Sequence, residues 1–596
     1  MRMSTDLTGM AAPATRRRLR PFLASLLAGL MLVGCGAPQA GPLAAGPWQG
    51  SSMVVRPDAN LGDSMAAQLL VGRYALDHGE VTIAAEQFGR ALEADPGNLD
   101  LRLQLLALQI ASGGFEEALA NARLLAEGEV EADEAYVLLT LDAARRNAFD
   151  EAFAQLGRVR SRSLAGVIAP VLEAWLRFAT GAADQALTRL EEADRQDGFR
   201  RLRVFHRGLM QAMAGRGEEA RTTIGELLAQ EEEPAPLRVV LSLAALEQAA
   251  GNEAAAGVLL ERQRDLTGDS FALEQARAGL EAGAPIPLPV TTPQEGMADA
   301  LLGLAAALYD QRIGGQGLIY ARLATFLTPD AGDLQVLLGR IALTQASPER
   351  AVEALERVAD TSPFSWQARL LRAEALRELG RKEEAARLLQ RMSKEQPERV
   401  DALVALGDMN RADEQYAEAE KAYAEALARR GAPQRLDWRI LYVHGITLER
   451  SGRWDEAEKA FLTALELQPD QPLVLNYLGY SWVDQGRHLD RAKEMLHLAV
   501  DLRPQDGYIV DSLGWAYFRL GEYELAVEHL ERAVELQPGD PVINDHLGDA
   551  YWRVGRTREA RFQWQRALTL EPEQGEIAAI EQKLRDGLSK DGADRG

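Results

Sequence analysis

Cysteine is almost missing from this sequence: Cys35 is the single copy in 596 residues. No intramolecular disulfide can form, and a Cys-rich zinc or iron–sulfur site is excluded. Histidine is scarce as well, at seven copies in no ligand-spaced cluster, so no metal is expected. Positive charge is in deficit, with 66 Lys and Arg against 89 Asp and Glu and a formal net charge of −23. That balance lacks the basic surface that nucleic acids require, so neither DNA nor RNA is an expected partner. Catalytic signatures are missing too: there is no P-loop, no HExxH and no GxSxG. Carboxylate runs such as Glu231-Glu232-Glu233 read as solvated helix ends. The chain reads as a non-enzyme with no cofactor and no small-molecule substrate. What is present is globular: 47% of residues are hydrophobic and 26% charged.

The N-terminus differs from the rest. Arg16, Arg17, Arg18 and Arg20 precede an apolar run from Pro21 to Gly34. That run is too short to span a bilayer but has the length of a signal-peptide core. It ends in Leu32-Val33-Gly34-Cys35, which resembles a bacterial lipobox. The resemblance implies cleavage before Cys35 and acylation of its thiol and amine, palmitate among the acyl chains. Gly36 follows where an Asp would imply retention in the inner membrane, so the resemblance implies the outer membrane, with the body facing the periplasm. Residues 1–34 are thus expected to be a signal peptide. Residues 35–60, rich in Gly, Ala, Pro and Ser, are expected to be a flexible tether.

The body repeats one motif. Leu513-Gly514, Tyr517, Gly521, Ala526, Leu530, Ala533 and Pro538 return as Leu547-Gly548, Tyr551, Gly555, Ala560, Trp564, Ala567 and Pro572, each 34 residues on. The period and pattern resemble the tetratricopeptide repeat, a pair of antiparallel helices. Each residue type has a physical role. The first glycine admits a close neighbour, the second makes the turn, and proline ends the unit. Earlier units keep the period more loosely. Ala84, Ala118, Ala152, Ala186 and Ala220 are each 34 apart, and Asn147 stands at one turn where the others have Gly. The expected fold class is all-α, a tetratricopeptide α-solenoid of about fourteen helix pairs in two arrays. Boundaries are expected at 61–282 for a degenerate N-terminal array and 283–296 for a Pro-rich break. A C-terminal array would follow at 297–574, then a capping helix and tail at 575–596.

Repeat solenoids bind partners on the face lined by first-helix residues that do not pack against neighbours. The spacing puts Tyr442, Ile446 and Arg450 on that face, then Asn476, Tyr480 and Asp484. Tyr508, Asp511, Trp515, Phe518 and Arg519 follow, and last Asp545, Asp549, Trp552 and Arg553. Six of the nine tryptophans lie beyond residue 430, and aromatics with Arg are the types enriched at binding hot spots. The same stripe also fits packing between units, so groove and core both remain open for these aromatics. The more degenerate N-terminal array leaves room for a folded partner, but no residues in it identify a surface.

The stretch Leu475-Asn476-Tyr477-Leu478-Gly479-Tyr480-Ser481-Trp482, with Asp511-Ser512-Leu513-Gly514-Trp515 after it, resembles large proteobacterial tetratricopeptide lipoproteins. Some of these bind a carboxyl-terminal processing protease and deliver its substrates. The resemblance implies a lipid-anchored adaptor with protein partners. The alternative is an assembly factor for an exopolysaccharide or outer-membrane export complex.

Overall fold

A computed structural model describes residues 64–193, 199–229, 235–311 and 314–588. The signal-peptide and tether expectations, with Leu32, Val33, Gly34 and Cys35, lie outside them. The described residues form thirty α-helices and no strand. Twenty-eight are consecutive helix–turn–helix pairs, six pairs from Met65 to Thr267 and eight from Pro293 to Thr569. Helix Phe271–Glu281 stands alone between the two sets, and helix Gln574–Asp586 closes the chain.

Local chemistry explains the pairs. Asp506 and Asp540 cap their first helices through bonds to the second and third backbone N–H groups. Gly521 and Gly555 turn the chain at φ 79° and 83°, a left-handed geometry that costs glycine nothing. Close packing then joins the two helices of a unit. A Cβ on Gly514 would lie 2.7 Å from Leu530 Cγ, and one on Gly548 would lie 2.5 Å from Trp564 Cδ1. Gly445 against Phe461 and Gly407 against Tyr423 repeat the arrangement. The period in the sequence is therefore a period in packing.

The Pro-rich stretch ends earlier than its composition indicates. Thr292 and Glu295 form a capping box, and Pro293 is the first helical residue, so helix Pro293–Asp310 begins inside the expected 283–296 break. Proline belongs there because its missing N–H has no helical partner at that position anyway.

This helix also changes the picture of the N-terminal array. Helices Pro293–Asp310 and Gly314–Leu327 pack onto the first helices Leu99–Ser112, Asp133–Arg145, Leu164–Ala179 and Arg200–Met213. Arg145 stacks its guanidinium on the Phe326 ring at 4.2 Å, and Arg322 Nε donates to Ala111 O at 3.2 Å. One continuous core runs from Ala75 to Leu246 and on from Val290 to Ala354. The chain's own helices thus fill the face that these first helices line. Eleven of the thirteen residues of Asp133–Arg145 are buried, which leaves that helix almost no solvent side. Helix Trp438–Arg450, at the start of the last four units, buries only five of thirteen.

Candidate functional site

The last four first helices are Trp438–Arg450, Pro472–Asp484, Gly507–Arg519 and Pro541–Arg553. Gly507 is taken as position 1 of its unit. Asn476, Asp511 and Asp545 are then at position 5, and Tyr480, Trp515 and Asp549 at position 9, with Tyr442 and Ile446 at the same two positions one unit earlier. Equivalent positions on stacked helices become neighbours, and the contacts follow that rule.

Tyr442 meets Tyr477 edge-on at 6.0 Å and Phe461 at 6.2 Å. Asn476 is half-buried, and its Oδ1 has no hydrogen-bond partner among the described residues. Burial and the nearby charges of Asp511 and Asp484 push the Tyr480 hydroxyl up to about 12, so it stays a neutral donor. Arg519 Nη1 bonds Asp484 Oδ1 at 2.6 Å across two units. Trp515 stacks on Phe518 at 4.7 Å and on His546 at 3.9 Å, with ring planes within 16°. Asp511 accepts from His546 Nδ1 at 3.0 Å. Burial alone would push the imidazole down, but the Asp511 carboxylate, with Asp545 and Asp549 beyond it, outweighs that and raises its pKa. Trp515 and Phe518 keep half-exposed faces, and Arg450 and Tyr508 stand in solvent.

The far end of the stripe is occupied from within. Lys583 of the closing helix donates to Asp545 Oδ2 at 2.7 Å and to Asp549 Oδ2 at 2.8 Å. Asp549 is buried and also accepts from Trp564 Nε1 at 2.8 Å. Burial and the Asp545 charge raise its carboxyl to about 6, against the pull of Lys583. Gly587 lies on the Trp552 ring with no room for a Cβ, and Trp552 also tilts against Trp564 at 5.4 Å. Arg553 lies over the Tyr523 ring at 5.9 Å. Asp545, Asp549 and Trp552 therefore anchor the cap, and the half-exposed stripe runs from Tyr442 to His546. The closing helix thus takes one carboxylate oxygen each of Asp545 and Asp549 and lies against the Trp552 ring, contacts the groove assignment of these three did not include.

Two residues of this arrangement carry no signal in the repeat pattern. His546 sits at position 6, a neighbour of Trp515 only once the units stack. Lys583 lies beyond the last repeat, where the period gives no guide. Among the described residues, no group of three or more His, Cys, Asp and Glu could hold a metal ion. No described helix is long and apolar enough to cross a membrane.

Comparison with known proteins bears on the repeat. The family described as the cilia and flagella-associated protein 70 C-terminal domain matches residues 305–584. The TPR repeat-containing protein PA4667 of Pseudomonas aeruginosa is 30% identical over 186 residues, 31% of this chain and 31% of that protein. The chain has the tetratricopeptide-repeat fold. Its match spans under a third of that curated relative. Among solved structures, the APC/C hetero-tetramer Cut9-Hcn1 is similar over 88% of the repeat chain and 96% of its own, at 17% identity and a TM-score of 0.37. A tetratricopeptide repeat protein from Parabacteroides merdae is similar over 43% and 98%, at 14% identity and a TM-score of 0.34. Repeats of this kind make a protein-interaction scaffold.

Proposed function

We propose that this repeat protein is a lipid-anchored adaptor that holds a periplasmic enzyme, a protease first of all, beside its protein substrates at the outer membrane. The observation that carries the reading is the half-exposed aromatic stripe from Tyr442 to His546, on a chain whose N-terminus reads as a lipobox at Cys35. Tethering both partners to one surface supplies effective concentration and orientation, the two things a scaffold without chemistry can contribute. Acyl chains at Cys35 would hold the body at the membrane, since each buried CH₂ adds about 0.8 kcal/mol.

The test has two arms. Growth with an alkyne-tagged palmitate should label the wild-type chain in the outer-membrane fraction and leave Cys35→Ser unlabelled. Affinity capture from envelope extract should recover a protease together with cell-wall hydrolases, and lose both with Trp515→Ala and Arg519→Ala combined. Recovery of an export pore or polysaccharide enzyme in their place would replace the adaptor reading with that of an assembly factor. Equal recovery by wild type and variant would exclude the stripe as the binding surface.

A further inference from the structure

Arginines drawn into this fold commonly find a carboxylate. Arg189 meets Glu173 at 2.6 Å, Arg221 meets Glu247 at 3.0 Å, and buried Arg399 pairs with both Glu274 and Asp401. Two arginines do not, and they lie side by side where later helices fold back onto the first two units. Arg322 is on helix Gly314–Leu327 and Arg350 on helix Pro348–Glu356, both half-buried. Their guanidinium groups converge on one backbone oxygen. Arg322 Nε and Arg350 Nη2 each donate to Ala111 O at 3.2 Å, and Arg350 Nη1 reaches Gly79 O at 3.4 Å. Among the described residues neither forms an ion pair, and neither Nη group of Arg322 has a hydrogen-bond partner.

Ala111 ends helix Leu99–Ser112 and Gly79 turns the chain after helix Met65–Asp77, so both oxygens lie at the negative end of a helix and offset part of the charge. The offset is incomplete. Burial first, and then the charge of Arg350, bring Arg322 down to about 10, and burial lowers Arg350 as well. Glu353 pulls both the other way and Glu80 pulls Arg350, but Glu353 is held by Arg357 at 2.9 Å. Arg145 adds a third positive charge, over the Phe326 ring at 4.2 Å and one turn along from Arg322. Adjacent desolvated cations cost free energy that an anion between them recovers, and guanidinium N–H groups match phosphate oxygens two at a time. The net charge of −23 repels anions at long range, so binding must come from these contacts.

We propose that Arg322 and Arg350 form a binding site for a small soluble phosphate, free or as an ester, which ties helices Gly314–Leu327 and Pro348–Glu356 to the first two units. The recess of both arginines between helices suits a free anion better than a headgroup held in a bilayer. The site is separate from the C-terminal stripe and does not depend on what that stripe binds.

The test is a melting series on the full chain carrying Cys35→Ser, in sodium phosphate or sodium chloride at equal ionic strength and neutral pH. Phosphate strengthens apolar burial in any protein, so its increment is read against variants. The increment should shrink by more than half in Arg322→Gln and in Arg350→Gln. It should stay intact in Arg387→Gln, which removes an exposed arginine on helix Lys382–Glu395. Reading the increment, and not the baseline, keeps the test valid for a variant that is less stable. Calorimetric titration with inorganic phosphate should give a Kd of about 1 mM or tighter, weakened at least about tenfold in each of the two seam variants. Hydrogen exchange should slow with phosphate in helices Leu99–Ser112 and Gly314–Leu327 and not in helix Gln574–Asp586. Equal increments in all four chains would reduce the effect to that of a stabilising salt and overturn the site. Loss of the increment in Arg387→Gln as well would assign it to diffuse charge, with the same consequence. Binding of phosphatidylglycerol vesicles that is lost in the seam variants, with no response to free phosphate, would overturn the soluble ligand.

Discussion

Position 9 holds Trp175 in the first array and Trp515 in the second, and the two side chains meet opposite fates. Around Trp175 the neighbouring position-5 and position-9 residues are Val137, Leu141, Val171, Phe205 and Leu209, and helices of the same chain cover them. Around Trp515 they are Asn476, Tyr480, Asp511, Asp545 and Asp549, and the rings stay partly in solvent. The same backbone is thus covered in one place and left partly open in another, according to polarity at two positions per unit. Apolar positions demand a permanent cover, because exposed contiguous apolar surface is costly; mixed aromatic and charged positions tolerate water.

Acidification would separate the two regions most strongly. His206 is held neutral by burial, with Arg238 adding to the effect, and its pKa falls to about 3. A depressed histidine contributes stability that is fully present above its unfolded value near 6.5 and is lost as pH falls toward 3, on the order of several kcal/mol in all. His546 runs the other way. Its raised pKa gives stability present below about 6.5 and lost as pH climbs through the folded value. Asp549, raised to about 6, likewise favours folding as pH falls through that value. Hydrogen exchange at pH 5 and pH 8, corrected for intrinsic rates, should show helix Leu164–Ala179 less protected and helix Gln574–Asp586 more protected at the lower pH. A parallel change in both would break the comparison.

Substitution at the two tryptophans comes next. Trp175→Ala should cost about 3–5 kcal/mol, the range for emptying a packed aromatic site, while Trp515→Ala should cost under about 1.5 kcal/mol. Urea titrations followed by circular dichroism decide it, and equal costs would mean both grooves are cores. Lys583→Met should follow at about 2–3 kcal/mol, confined to the last unit, because it leaves Asp545 and Asp549 without their cation. Exchange should rise across the closing helix and stay unchanged before residue 500. The smallest effect belongs to Arg519→Ala. Its pair with Asp484 is partly exposed, so stability should move by less than about 1 kcal/mol even if partner binding suffers.

Much of the fold is written in Gly, Ala and Pro because these residues act locally. Gly521 makes a turn whatever surrounds it, and Gly514 admits Leu530 from its own unit. The filled groove was not legible for the opposite reason. Val137, Leu141 and Trp175 look like decay of the motif when read singly, and only the fold-back of helices Pro293–Asp310 and Gly314–Leu327 gives them a purpose. A residue in contact with a segment more than a hundred positions away carries no mark of it in its neighbours. The stripe itself was legible through its period, but the fate of Asp545 and Asp549 depended on Lys583, which lies outside that period.

Hydroxyl-radical footprinting of the native chain, read by mass spectrometry, probes the contrast between a filled and an open groove at the side chains themselves. Trp515 and Phe518 should oxidise rapidly, with Trp175 and Phe205 protected until the protein unfolds. Oxidation of Trp175 at the rate of Trp515 would contradict that contrast.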